Sequence, residues 1–415
     1  MLYEIQLPYN KSLRIRERVS EFVLRGTLPP VSDTDCHDVL VMHRALRTIA
    51  DASQAGQTGN GTVIDVEDCG AAYRFLMPLL ALTPGKWLLT GTPRLLQRPI
   101  LPLVDVLCGI GADINRVEDG WLIFGKNVPN TSDGLELTID ASQSSQFASA
   151  LVLAAPLLGL KTLHLTTTDI PSLPYLQMTM HYMRDYPVTV LGVSLSDMPI
   201  GSPGDWSAAL FWFAHARLHP ENQYSLSPLS LDSIQGDSVI YQWFKKLNII
   251  TSTKDSSVVI HAEPLKENPK MVLDVRGNLD TVPVMAALAS LLPVDITFKN
   301  IKNLQYKESD RLRALVTQLR PYADIELSEK ELHVVGKGCP SDAHPVFDTH
   351  HDHRLAMAFL LFGPNATLND TDCLRKSYPG LMRDLLLVQR GFAPETQQGD
   401  FREEAEQRQN QEQRP

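Results

Sequence analysis

Lys307, Glu308, Asp310 and Arg311 put four charges within five positions. Apolar residues then recur at Leu312, Leu315, Val316 and Leu319, the i, i+3, i+4 spacing of an amphipathic helix. Ser309 or Asp310 is placed to cap its first turn. Upstream, 294–298 alternates like a strand, so the charges sit in a strand-to-helix loop. Such a loop can aim two cations and a carboxylate at one small ligand. A solvated helix start with a capping Asp would look the same, and this stretch alone does not separate the two.

Other basic and small polar residues recur in similar places. Lys11-Ser12 precedes a helix that contains Arg16, and Gly70 with Arg74 opens the apolar helix 75–80. Arg98-Pro99 stands before another helix, with Pro99 expected in its first turn. Ser144-Ser145-Gln146 opens a long apolar helix over 147–158. Asp352-His353-Arg354 opens 355–362, and Lys376-Ser377 precedes the last helix. Helix N-termini present free N–H groups and the positive end of the helix dipole. Lys and Arg added there make sites for phosphate and carboxylate. Seven such loops suggest helix starts converging on an anionic ligand.

The elements that carry these loops repeat. Helical segments begin near Val39, Ile100, Tyr175, Ser238, Arg311 and Gly380, roughly 60 to 75 residues apart, a spacing in the range of repeat architectures. Leu103–Leu107 runs on to Ala112-Asp113-Ile114, as Leu315–Leu319 runs on to Ala323-Asp324-Ile325, and each then reaches a second short strand. Six units of this kind suit an α/β protein of two similar halves with three units each. Turn-rich 201–204 and Pro8-Tyr9-Asn10 read as linkers. The expected division is therefore 10–203 against 1–9 with 204–395. The Gln/Glu/Arg-rich stretch 396–415 reads as a disordered or frayed tail.

Composition limits the function classes. The 415 residues are 43% hydrophobic and 21% charged, enough for a sizeable core. A net charge of −10 argues against a nucleic-acid binder, although an acidic protein can still hold a cationic cleft. Five cysteines without a C-x-x-C pair fit free thiols in a reducing compartment. The N-terminus is no signal peptide and no apolar run is long enough to span a membrane, so a cytoplasmic location is expected. Cys69 reads as a buried small residue rather than a nucleophile. Trp206, Phe211, Trp212 and Phe213 read as core. His350, His351, Asp352 and His353 are a weak metal set, because consecutive residues point in different directions.

Taken together, the loops resemble the motifs of the EPSP synthase (3-phosphoshikimate 1-carboxyvinyltransferase) family of enolpyruvyl transferases. Lys11-Ser12 with Arg16 resembles K-S-x-x-x-R, Arg98-Pro99 resembles R-P, and Ser144-Ser145-Gln146-Phe147 resembles S-S-Q-F. Ser172-Leu173-Pro174-Tyr175, Gln235-Gly236-Asp237 and Lys307-Glu308-Ser309-Asp310-Arg311-Leu312 are similar to S-x-P-Y, Q-G-D and K-E-[ST]-D-R-L. Asp352–Ala358 and Lys376–Pro379 resemble D-H-R-M-A-M-A and K-[ST]-[FY]-P. Each motif is short; their number and order carry the resemblance over nearly the whole chain.

The resemblance implies an inside-out α/β barrel in each of two domains, built of three βαβαββ-type units, with ligands in the cleft between them. It implies a transferase of the shikimate pathway to chorismate and the aromatic amino acids. The 5-hydroxyl of shikimate 3-phosphate attacks phosphoenolpyruvate and phosphate leaves, without metal or organic cofactor. It implies a monomer whose partners are these small molecules, not nucleic acid or membrane. By position, Lys11, Ser12, Arg16, Ser144, Ser145, Gln146, Ser172, Asp280, Asn303 and Lys307 would hold shikimate 3-phosphate. Lys11, Gly70, Arg98, Gln146, Arg311, Arg354 and Lys376 would hold phosphoenolpyruvate. Asp280 falls at the general base, with Glu308 and Lys11 as the candidates that move a proton at the methylene carbon.

The chain departs from these motifs in places. The loop usually written G-N-[SA]-G-T-x-x-R is Glu67-Asp68-Cys69-Gly70-Ala71-Ala72-Tyr73-Arg74 here. Asp68 brings a negative charge to an anion site, pointing outward or paired with Arg74 or Arg98. Asn10 and Arg14 replace the usual Asp and Ser, 202–207 matches loosely, and Leu279 stands where Pro usually precedes Asp280. The altered loop is the one support for a non-catalytic binding protein on the same fold. A UDP-N-acetylglucosamine enolpyruvyl transferase is the other alternative, but it calls for Cys or Asp at Pro93, and K-E-S-D-R is foreign to it. Cations on loops of both halves would repel across an open cleft, so a bound anion is expected to close it.

Overall fold

The structure is a computed structural model, and residues 1–54, 61–126, 134–166, 170–186, 188–265 and 267–391 of it are described. The expected tail 396–415 and the end of the second half, 392–395, lie outside the described residues.

Three four-stranded sheets share one strand order. The first places Thr62–Asp65 parallel to Gly85–Thr90, which pairs antiparallel with Gly120–Gly125 and so leads to Asp113–Val117 at the edge. Lys270–Asp274, Asp295–Lys299, Glu331–Gly336 and Ala323–Leu327 repeat it, as do Leu2–Gln6, Gln223–Ser227, Ser257–Ala262 and Ile249–Lys254. The two copies compared in the sequence are therefore equivalent: Leu101–Gly109 and Arg311–Leu319 each feed the terminal hairpin of a sheet. Shorter sheets join Leu135–Ile139, Leu160–Leu165 and Thr189–Val190, and Val346–Phe347 with Thr367–Leu368, all in parallel. The first helical segment, His37–Gln54, follows Lys11–Arg25 directly, with no strand between them.

Strands such as Lys270–Asp274 alternate buried and exposed, so each sheet covers a core with one face. Helices Gly70–Leu82, Trp206–Leu218 and Val282–Leu291 are apolar on nearly every side and are buried on nearly every side. Trp206, Phe211, Trp212 and Phe213 are all fully buried core residues. One apolar core draws on 15–190; the other draws on 3–7 and 206–388. The chain crosses between them twice, and the crossings are bonded to each other. Asn10 N donates to Pro203 O at 2.7 Å and Asp205 N donates to Pro8 O at 3.0 Å. Asn10 Nδ2 also donates to Asp205 and Gln235, each at 2.8 Å.

Two helix boundaries differ from expectation, both at proline. The helix after Arg98 starts at Leu101, so Pro102, not Pro99, occupies its first turn. The helix expected over 147–158 is Ser145–Leu153 followed by a separate turn, Ala155–Leu158. Pro156 lacks the N–H that would continue the ladder and crowds the carbonyl one turn back. No helix among the described residues is long and apolar enough to cross a membrane.

Candidate active site

Helix starts from both cores meet at one cleft. Asn10 Oδ1 accepts from Leu13 N at 3.0 Å and opens Lys11–Arg25, which aims Lys11, Ser12 and Arg16 inward. Ser144 Oγ accepts from Gln146 N at 3.2 Å and opens Ser145–Leu153. Ser172, at φ 58°, turns the chain into Leu173–Tyr182. From the other core, a turn at Lys302–Tyr306 and the following loop supply Asn303, Lys307 and Glu308 ahead of helix Arg311–Leu319, which Asp310 caps. The cleft encloses about 900 Å³, part of it open to solvent.

Its wall contains Lys11, Ser12, Arg16, Gly70, Arg98, Ser144, Ser145, Gln146, Ser172, Asp280, Asn303, Lys307 and Glu308. Arg311, Arg354 and Lys376 stand behind that wall, 1%, 3% and 3% exposed. Gly70 belongs at its place by contact. A Cβ there would meet Arg98 Nη1 at 2.5 Å and Arg74 Nη1 at 3.1 Å, so any larger residue would push the Arg98 guanidinium from its present place against the loop.

The charges are interlocked. Asp280 Oδ1 accepts from Lys307 Nζ and Arg311 Nη1, each at 2.9 Å, and Arg354 Nε lies 3.9 Å from Oδ2. Burial works against ionised Asp280, but Lys307, Arg311 and Arg354 outweigh it and hold the carboxyl well below its usual range. Glu308 is likewise held well down, burial being outweighed by Arg311 at 2.8 Å and Arg98 at 3.7 Å. Lys11 meets Asp38 at 3.0 Å; burial opposes its charge, yet Asp38 and Glu308 raise its pKa. Burial together with Lys11 and Arg354 keeps His353 neutral, and neither of its ring nitrogens has a hydrogen-bond partner among the described residues. Cys69 is fully buried and burial pushes its thiol up, away from nucleophilic character.

Two findings correct the expectations about charge. Asp68 pairs with neither Arg74 nor Arg98; its Oδ2 lies 2.6 Å from Lys376 Nζ. Nor do like charges face each other unrelieved. Lys376 reaches Asp38 and Asp68, and Arg98 reaches Glu308, each pair joining one core to the other. Neutral contacts add to these: Asn303 Nδ2 donates to Ser142 O at 3.0 Å, and Ser172 N donates to Arg276 O at 2.7 Å.

Two buried cations in the cleft meet no carboxylate within ion-pair distance among the described residues. Arg16 donates to Thr179 Oγ1 and to the carbonyls of Ser12 and Tyr175, and its Nη2 has no partner. Burial pushes its pKa down to about 10. Arg74 donates to the carbonyls of Gly70 and Pro99 and to Gln146 Oε1 at 2.7 Å. Burial, then Arg98, pushes it down to about 9. A buried charge without a counter-charge is costly, and an anionic ligand is what would offset it. Arg74, Asp38 and Tyr175 line the cleft although none was assigned a ligand from the sequence, and only Arg74 belonged to one of the basic helix starts singled out there. Asp38 gave no motif; Arg74 was visible one helical turn after Gly70 in the altered loop.

Comparison with known proteins agrees with this geometry. Residues 35–385 match the family EPSP synthase (3-phosphoshikimate 1-carboxyvinyltransferase). The chain is also 31% identical over 400 residues to the 3-phosphoshikimate 1-carboxyvinyltransferase of Bacteroides fragilis, covering 92% of this chain and 94% of that one. The chain belongs to the EPSP synthase family. Among solved structures it is similar to an EPSP synthase from Acinetobacter baumannii, with a TM-score of 0.65 at 17% identity over 93% of this chain and 95% of that one. The enolpyruvyl transferase NikO from Streptomyces tendae gives 0.61 at 15% identity over 93% and 94%. The architecture is thus the enolpyruvyl transferase fold, and family membership takes the place of the UDP-N-acetylglucosamine alternative.

Proposed function

We propose that the cleft transfers the enolpyruvyl group of phosphoenolpyruvate to the 5-hydroxyl of shikimate 3-phosphate and releases phosphate. The observation that carries this reading is the pair Arg16 and Arg74, buried in the cleft with no carboxylate partner among the described residues, in the same cleft as an Asp280 held ionised. Arg16, Ser12, Ser144, Ser145, Gln146, Ser172, Asn303 and Lys307 would hold shikimate 3-phosphate. Gly70, Arg98, Gln146, Arg311, Arg354 and Lys376 would hold phosphoenolpyruvate, with Lys11 reaching both.

Asp280 would accept the hydroxyl proton as oxygen bonds to the central carbon. Its present cations lower its basicity; anionic substrates that draw on Lys307, Arg311 and Arg354 would raise it. The methylene carbon takes up a proton in the addition and loses one when phosphate departs. Glu308 and Lys11 would lie at that end, and cations there would offset the charge that develops. The two lobes would be 10–203 and 1–9 with 204–395. A monomer is the oligomeric state proposed, and the free thiols support a cytoplasmic location.

Phosphate release tests the reading. It should require both substrates together, and absence of turnover across pH would favour a binding protein on this fold.

A further inference from the structure

Lys376 spends its donors inside the protein. Its Nζ donates to Asp68 O at 2.9 Å, lies 2.6 Å from Asp68 Oδ2, and lies 3.3 Å from Asp38 Oδ1. An ammonium group has three N–H donors. The side chain is 3% exposed, so solvent offers little more. Asp38 is shared with Lys11, and the four side chains Lys11, Asp38, Lys376 and Asp68 carry two charges of each sign. Removing the charge of Asp68 would leave this group with one positive charge to offer an anion.

Asp68 differs from Asp38 in its freedom. The Asp38 side chain is 3% exposed; that of Asp68 is 43% exposed. Asp68 and Lys376 also line a second cavity of about 1080 Å³, which adjoins the cleft because Arg98 and Glu308 line both. Arg94 and Arg375 stand on its wall beside Glu67, Asp370 and Asp372, and His37 is bonded there to Glu67 at 2.7 Å. A carboxylate that left Lys376 would therefore enter a solvent-open space in which Arg94 and Arg375 are the remaining arginines besides Arg98.

We propose that Asp68 is an internal anion that occupies Lys376 until the carboxylate or phosphate group of the second substrate displaces it. It thereby sets the affinity of this chain for phosphoenolpyruvate. This rests on the reading above, in which Lys376 binds phosphoenolpyruvate. Displacement of a bound anion subtracts from the binding free energy of the incoming one. The subtraction falls on phosphoenolpyruvate and spares shikimate 3-phosphate, whose proposed ligands do not include Lys376.

Steady-state kinetics of Asp68→Asn and Asp68→Ala test this. Asn keeps an acceptor for Lys376 and loses the charge; Ala loses both. In each, the KM for phosphoenolpyruvate should fall about tenfold, and that for shikimate 3-phosphate should stay within about twofold. An unchanged or raised KM for phosphoenolpyruvate in Asp68→Asn overturns the proposal. Loss of thermal stability with both constants raised would show a structural support and would overturn it too. Calorimetric titration of phosphoenolpyruvate into protein saturated with shikimate 3-phosphate reads the same affinity without turnover. Wild-type protein that releases no phosphate refutes the proposed activity, while the titration still decides on Asp68.

Discussion

Arg311 closes on Asp352 with two edges of its guanidinium, Nε to Oδ2 at 2.8 Å and Nη2 to Oδ1 at 3.1 Å. Both side chains are almost wholly buried, at 1% and 0% exposure. Asp352 also accepts from Ser309 Oγ at 2.9 Å and from Arg354 N at 2.9 Å, which caps helix His353–Leu360. One carboxylate thus fixes the aim of Arg311 and the start of the helix that carries Arg354.

Asp352→Ala should therefore cost more than an ordinary cap. It leaves a buried guanidinium short of its fork partner and a helix without its N-cap, a combined loss of about 3–5 kcal/mol. Urea unfolding measures it. A loss under about 1 kcal/mol, the scale of a surface pair, would show that Asp280 and Glu308 alone satisfy Arg311.

Asp280→Asn should lower turnover by roughly 10²–10⁴, the range for a general base. The substitution keeps the shape of the side chain and removes one negative charge beside Lys307, Arg311 and Arg354. Affinity for shikimate 3-phosphate should then hold or improve. Collapse of that affinity with turnover intact would make Asp280 a binding residue only. Because the carboxyl is held well below its usual range, the loss should be much the same at pH 6 and pH 8.

Much of this was legible in the sequence, and the reasons are local. The repeat at Leu101–Gly109 and Arg311–Leu319 could be read because amphipathic helices and short alternating strands have distinct periods. The loops around Lys11, Ser144 and Lys307 could be read because residues that open helices and bind anions cluster in sequence. Pairing across the cleft could not be read. Asp68 and Lys376 are far apart in the chain, and no periodicity relates them. Asp38 was invisible because a carboxylate in the first turn of an amphipathic helix is commonplace. Prolines set two boundaries that the apolar pattern did not: Pro99 lies before its helix rather than in the first turn, and Pro156 divides the run over 147–158.

Asp237 offers a test in which pH separates the mechanism from simple repacking. The residue is 2% exposed, accepts a hydrogen bond from Ser207 Oγ, and has no partner for Oδ1 among the described residues. Burial, then Asp280, pushes its carboxyl up to about 6, with Asp205 adding to the rise and Ser207 and Arg354 opposing it. An unfolded Asp titrates near 3.9. The folded chain therefore binds this proton more tightly than the unfolded chain. Stability from this group rises as pH falls from above 6 toward 4, and above 6 the ionised form carries a cost of about 3 kcal/mol. Asp237→Asn keeps an oxygen for Ser207 and never ionises. At pH 8 it should stabilise the protein by about 2 kcal/mol, part of the gain being lost to an imperfectly bonded amide. Near pH 4 the wild-type carboxyl is protonated in the folded state, and the advantage should vanish. Urea unfolding of both proteins at the two pH values measures the difference. An equal difference at both would mean that the substitution acts through packing and that Asp237 is ionised without cost.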